Sequence, residues 1–179
     1  MADGGAPDCE VVLETDRLIL RPLRVGEAAV QRELWLERDP RVPPHRRIDA
    51  DGRPTVADLE ESIRVNPPSS AMGLLAVERK AAGDVVGYCG LVDSGRGSDG
   101  EPELAFELVR RAWGLGYATE ASLAVLVWAR SSGYERVWAT VWDWNTASRR
   151  VLVKLGFIET GRIDGDPRRG ATLFFVRHL

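Results

Sequence analysis

The sequence predicts an α+β protein, a mixed and mostly antiparallel sheet of about six to seven strands flanked by about four helices. Three observations carry that expectation. Period-two apolar runs dominate the first half of the chain. A glycine-rich turn at 114–116 separates one such run from a long apolar segment. After it, runs of helical and strand character alternate and then close as two strands.

Taken in order, residues 1–10 read as a flexible tail and 11–179 as one domain. Residues 11–23 alternate and read as one strand, closed by Pro22. Residues 26–38 read as a helix that ends before Pro40. The stretch 39–54, with Pro40, Pro43, Pro44, Gly52 and Pro54, reads as a long loop, and such loops are often functional. Thr55 and Asp58 form a capping pattern for a helix over 56–65, stopped by Pro67 and Pro68. Ala71 to Glu78 and Val85 to Val92 read as a hairpin, residues 94–101 as a second turn, and Glu103 to Leu108 as the next strand. A helix over about 116–131 is closed by Gly133. It is apolar nearly all round, from Ala121 to Trp128, which predicts burial on every side. Arg136 to Trp142 reads as a strand and Asn145 to Leu155 as a helix with Gly156 just past its end. Residues 157–163 and 172–177 close the chain as a hairpin.

The most informative stretch runs from Val109 to Ala121. Gly114 and Gly116 stand at a helix entrance, where backbone N–H groups and the positive end of the helix dipole suit a phosphate. Arg111 adds a positive charge, and Trp113 and Tyr117 read as packing residues. The strand before the turn places Glu103, Ala105 and Glu107 on one face and Leu104, Phe106 and Leu108 on the other. Its two carboxylates lie roughly 13 Å apart at about 3.3 Å per residue, so one cannot stand in for the other.

Net charge is −3, which disfavours broad nucleic-acid binding, and no run of about 18 apolar residues predicts a membrane span. The first residues lack a basic patch followed by an apolar core, so no secretion signal is expected. Cys9 and Cys89 do not form a disulfide framework, which fits a cytoplasmic protein. His45 and His178 stand alone and read as surface residues, with no metal site expected. Trp138, Trp142 and Trp144 read as core or groove-wall packing.

Glu103 to Leu108, then Arg111-x-x-Gly114-x-Gly116 and Tyr117-Ala-Thr-Glu-Ala121, resembles the acetyl-CoA-binding motif of the GNAT superfamily of N-acetyltransferases. Glu14 to Leu23 resembles the opening strand of the ribosomal-protein N-terminal (Rim-type) subfamily. Asn145 to Ser148, followed by Val151 to Phe157, resembles its downstream helix. The blocks span most of the chain in the family's order.

The resemblance implies a GNAT fold in which two central strands splay apart to admit the cofactor. It implies that N–H groups from Arg111 through Gly114, Leu115, Gly116, Tyr117 and Ala118 to Thr119 hold the pyrophosphate. Leu108 and Val109 would pair with the pantetheine arm through their backbone, and Asn145 would bond a pantetheine amide as well as cap its helix. Glu103 matches the position of the base, and Ser148 the group that meets the departing thiolate. Many relatives carry a tyrosine at the position of Leu152, and a proline at that of Arg110. The expected reaction is direct acetyl transfer from acetyl-CoA to a primary amine, without metal or covalent intermediate. The acceptor groove is expected around 35–54 and 164–170, with Trp35 as an apolar wall and Glu107 orienting substrate. Those carboxylates point to a cationic acceptor, either a protein N-terminus or a small amine. The alternative is a non-catalytic acyl-CoA-binding module or sensor. A monomer or a homodimer fits either reading.

Overall fold

The computed structural model describes residues 12–65, 73–97 and 100–179. The expected tail at 1–10, Cys9, the Pro67-Pro68 stop and the start of the Ala71 to Glu78 run lie outside the described residues.

One sheet of eight strands organises the molecule: β1 (Leu13–Glu14), β2 (Leu18–Arg21), β3 (Gly73–Arg79), β4 (Val85–Val92), β5 (Glu103–Leu108), β6 (Arg136–Trp142), β7 (Ile158–Asp166) and β8 (Gly170–His178). Its order is β1-β2-β3-β4-β5-β6-β8-β7. Only β5 and β6 run parallel, joined by α3 (Tyr117–Ser131) as a crossover. The other helices are α1 (Ala28–Glu37), α2 (Val56–Val65) and α4 (Thr146–Lys154), so four helices flank the sheet as expected. The cap at α2 forms as read, with Thr55 N–H donating to Asp58 Oδ2 at 2.8 Å and Asp58 N–H to Thr55 Oγ1 at 3.2 Å.

The extra strand is a correction. Residues 11–23 do not form one strand, because the chain turns back at 15–17 and pairs Leu13 with Leu20. The Thr15 hydroxyl makes that turn by accepting the Leu18 N–H at 2.9 Å, a local bond that competes with straight strand pairing. The closing hairpin also extends beyond its expected limits, to Asp166 and from Gly170.

A second correction concerns α3. Ala121, Ser122, Val125, Leu126 and Ala129 are buried against the sheet, yet Leu123 is 44% and Val127 66% exposed. Composition alone hides the stripe, because the outward positions are apolar too. The core lies between the sheet and its helices, with Leu18, Val77, Val86, Cys89, Val125, Val137 and Leu152 at its centre.

The sheet opens where β5 meets β6. Glu103 and Trp138 are the one registered pair, and Trp138 N–H donates to Pro102 O at 2.9 Å. The next inward N–H on β6 is that of Thr140, and it donates to the Glu103 carboxylate at 3.0 Å instead of to main chain. Beyond that point the strands part. On the other side β5 stays paired with β4 through Gly87 and Leu108. A Cβ at Gly87 would stand 2.1 Å from the Glu107 carbonyl oxygen, so only glycine allows this approach.

Candidate active site

The parting of β5 and β6 creates a cleft of about 1130 Å³. That exceeds the usual small-ligand pocket of about 300–1,000 Å³ and leaves room for two reactants. Its walls come from β5, β6, the glycine turn, the start of α4 and the loop after α1.

The glycine turn leaves a run of backbone N–H groups open to the cleft. A short 3-10 turn at Arg110–Ala112 ends β5, and Gly114 (φ +74°) and Gly116 (φ +83°) then reverse the chain into α3. Both conformations are left-handed, which L side chains resist. Gly116 is the N-cap of α3, and the first in-helix bond is Glu120 N–H to Gly116 O at 3.0 Å. The N–H groups of Gly114 to Thr119 therefore have no protein acceptor among the described residues. Gly114, Gly116, Tyr117, Ala118 and Thr119 all line the cleft.

Arg17, which sequence reasoning missed, clamps this turn from the other side. Its guanidinium donates to Leu115 O at 3.0 Å, pairs with Glu120 and lies 4.6 Å from the Tyr117 ring centroid. Burial pushes the Glu120 carboxyl up, but hydrogen bonds from Thr15 and Arg17 outweigh it and hold the group below its usual range. The Arg17–Glu120 partnership spans more than a hundred residues, so no local pattern announces it.

Arg111 faces away from the cleft. Its guanidinium donates to Glu33 Oε1 at 2.6 Å and lies beside Asp84. Arg110 lines the cleft in its place, and its backbone N–H donates to Glu37 Oε2 at 2.7 Å. Proline has no N–H to give, which is a physical reason against proline at this position. Trp113 is 55% exposed rather than packed, and its indole N–H donates to Leu108 O at 2.5 Å on the open edge of β5. Val109 N–H is used by Val86 O at 2.9 Å, on the β4 side.

Glu103 sits at the fork of the two strands, 8% exposed. Its Oε1 accepts both the N–H and the hydroxyl of Thr140, while Oε2 has no protein partner among the described residues. Glu107 is otherwise occupied. Arg38 donates to both of its oxygens at 2.8 and 2.6 Å, and the Tyr88 hydroxyl donates to it at 2.7 Å. Glu107 therefore presents no free negative charge to the cleft. Burial, with the Glu107 charge and hydrogen bond, pushes the Tyr88 hydroxyl well above its usual range, so it stays protonated.

Trp35 is not among the residues lining the cleft. Leu34 and Arg38 occupy the wall, and the Arg38 guanidinium stacks 4.6 Å from the Trp35 ring centroid. The tryptophans that do face the cleft are Trp113, Trp142 and Trp144, the last two stacked at 6.0 Å and 9° with Arg41 capping Trp144 at 4.1 Å. Trp138 turns aside to Glu101. Asp39 beside Arg41 is held down to about 2 by that side chain's hydrogen bond.

Asn145 caps α4 as read, its Oδ1 accepting the Ser148 N–H at 3.1 Å. Ser148 lines the cleft on the first turn of α4, and Leu152, one turn on, is buried at its base. Cys89 lies buried in β4, where burial pushes its thiol up to about 12, so it supplies no thiolate nucleophile.

The fold and cleft define an acyltransferase scaffold. The family model described as acetyltransferase (GNAT) domain matches residues 17–158, and the chain belongs to that family. A relative named as an uncharacterized N-acetyltransferase p20, from Bacillus licheniformis, is 26% identical over 156 residues, 83% of each chain. A GNAT-family acetyltransferase from Bacillus anthracis superposes with a TM-score of 0.76 at 18% identity, over 94% of this chain and 98% of that one. RimJ from Mycobacterium smegmatis, solved with CoA-disulfide, superposes with a TM-score of 0.67 at 22% identity, over 97% and 88%. The expected likeness to ribosomal-protein acetyltransferases thus holds at the level of fold.

Proposed function

We propose that this protein transfers the acetyl group of acetyl-CoA to a primary amine by direct attack. The observation that supports this reading most is the single cleft that joins a turn of open N–H groups, Gly114 to Thr119, to a carboxylate at the strand fork. The turn suits the pyrophosphate, with the open edge of β5 at Leu108 receiving the pantetheine arm once Trp113 releases its carbonyl. The Asn145 side-chain amide N–H has no protein acceptor among the described residues and is available to the same arm.

Glu103 serves as the base through one water, its free Oε2 being the oxygen that takes the proton. The amine nitrogen forms a bond to the thioester carbonyl carbon as the C–S bond breaks. The sulfur leaves as thiolate, steadied by the Ser148 hydroxyl, and takes its proton from solvent. Leu152 cannot donate one. Alignment of the two reactants in one cleft supplies much of the rate.

The test is release of free thiol from acetyl-CoA in the presence of a broad amine panel. Amine-dependent release is the expected result. Tight acetyl-CoA binding with no release for any amine contradicts the transferase reading and leaves the binding module.

A further inference from the structure

The charges lining the cleft do not cancel evenly. Four carboxylates face it: Glu37, Asp39, Glu103 and Glu107. Glu37 accepts from the Arg110 backbone, Asp39 is paired with Arg41, and Glu107 with Arg38. Four further guanidinium groups on the walls, Arg46, Arg96, Arg110 and Arg150, form no ion pair with a carboxylate among the described residues. Of the four, Arg96 is the one bonded to the strand fork. It donates to Thr140 Oγ1 at 3.1 Å, and that hydroxyl donates to Glu103. Its loop is anchored in turn, because Arg162 of β7 donates to the Arg96 carbonyl at 2.9 Å. An unpaired cation is therefore held two hydrogen bonds from the carboxylate at the strand fork, roughly 6 Å at about 3 Å per bond.

We infer that the acceptor is a small amino acid-like amine, with an anionic group a few bonds from the reacting nitrogen, and that Arg96 binds that anion. This rests on the proposed acetyl transfer, with the amine placed near Glu103. The spacing matches a compact zwitterion: its ammonium end faces the uncommitted Oε2 of Glu103, and its anionic end faces the unpaired guanidinium tied to the same fork through Thr140. A planar guanidinium also suits carboxylate or phosphonate through paired N–H donors. A peptide N-terminus offers a neutral amide at this distance, and a polyamine offers a second cation that Arg96 repels. Of the two carboxylates expected to attract a cationic acceptor, Glu107 is neutralised by Arg38, which leaves Glu103.

The test compares thiol release with α-amino acids, ω-amino acids, aminophosphonates, their carboxamides, short peptides and polyamines, using wild type and Arg96→Gln. The best acceptor is expected to be an anionic amine that exceeds its own carboxamide by about tenfold or more in kcat/KM. Arg96→Gln should erase that preference by raising KM for the anionic amine to that of its carboxamide, with Tm unchanged, and Arg96→Lys should restore part of it. Carboxylate and phosphonate arms separate the two anion types. Equal use of acid and carboxamide, preference for a peptide or polyamine, or equal loss on both acceptors in Arg96→Gln overturns the inference while transfer itself stands. No release with any amine overturns the transferase reading and this inference with it.

Discussion

The glycine turn and the wall around Glu107 face the same cleft and are built in opposite ways. The turn leaves its polar groups open: six successive N–H groups, Gly114 to Thr119, have no acceptor among the described residues. The wall closes its own: Glu107, Arg38 and Tyr88 satisfy one another, and Arg41 stacks on Trp144 while holding Asp39. Open donors on a rigid turn anticipate a ligand that brings strong acceptors, as a pyrophosphate does. A wall that has already neutralised itself contributes shape and leaves recognition to the few groups still unpaired. One region thus leaves its donors open, and the other is closed by its own partners.

The largest expected effect breaks the turn. Gly116→Val introduces a side chain at φ +83°, with its Cβ 3.4 Å from the Arg17 guanidinium. Acetyl-CoA at 100 times its Kd should stabilise the wild type by about 2.7 kcal/mol. Thermal melting of the variant should show no such gain.

Next comes the fork. Glu103→Gln should lower kcat by about 10²–10⁴-fold if the carboxylate takes the proton, with the acetyl-CoA melting shift retained. Ser148→Ala should cost less, about tenfold, and also spare the shift, because its partner is the departing sulfur. A Glu103→Gln variant with full turnover makes that residue a wedge of the sheet and nothing more.

The wall should respond in stability. Removing one partner of a fully buried ion pair costs about 3–5 kcal/mol. The Arg38 and Glu107 side chains keep 9% and 22% of their surface exposed. Arg38→Ala should therefore cost about 2 kcal/mol in a denaturant titration, discounted for that exposure. An unchanged midpoint removes the claim that the wall is held by its own charges.

The smallest effect is on pH. The Glu120 carboxyl is held below its ordinary value by Thr15 and Arg17, so its stabilisation is complete above the ordinary carboxylate range. It is lost as pH falls through the depressed folded value. Glu120→Gln should flatten the fall of stability on acidification below about pH 4.5, and a curve parallel to wild type contradicts this.

What the sequence disclosed divides along the same line. The strand before the turn, the glycine turn at the helix entrance, the α2 cap and the Asn145 cap are local patterns, and each formed where it was read. The turn at 15–17 escaped because one threonine hydroxyl decides it. Arg111 misled because a residue's neighbours in sequence do not say which way it points; its partner Glu33 lies 78 residues away. Trp35 misled for the same reason, its face being covered by Arg38. The pairings of Glu107, Arg17 and Arg96 are long-range, so no spacing in the chain could disclose them.

The measurement that tests the account most directly is thiol release paired with acetyl-CoA binding, read in wild type, Gly116→Val and Glu103→Gln. Amine-dependent release in wild type is predicted, with Gly116→Val losing both binding and release, and Glu103→Gln losing release alone. Binding retained in Gly116→Val, or release retained in Glu103→Gln, contradicts the division of the cleft into a turn that holds the donor and a fork that performs the transfer.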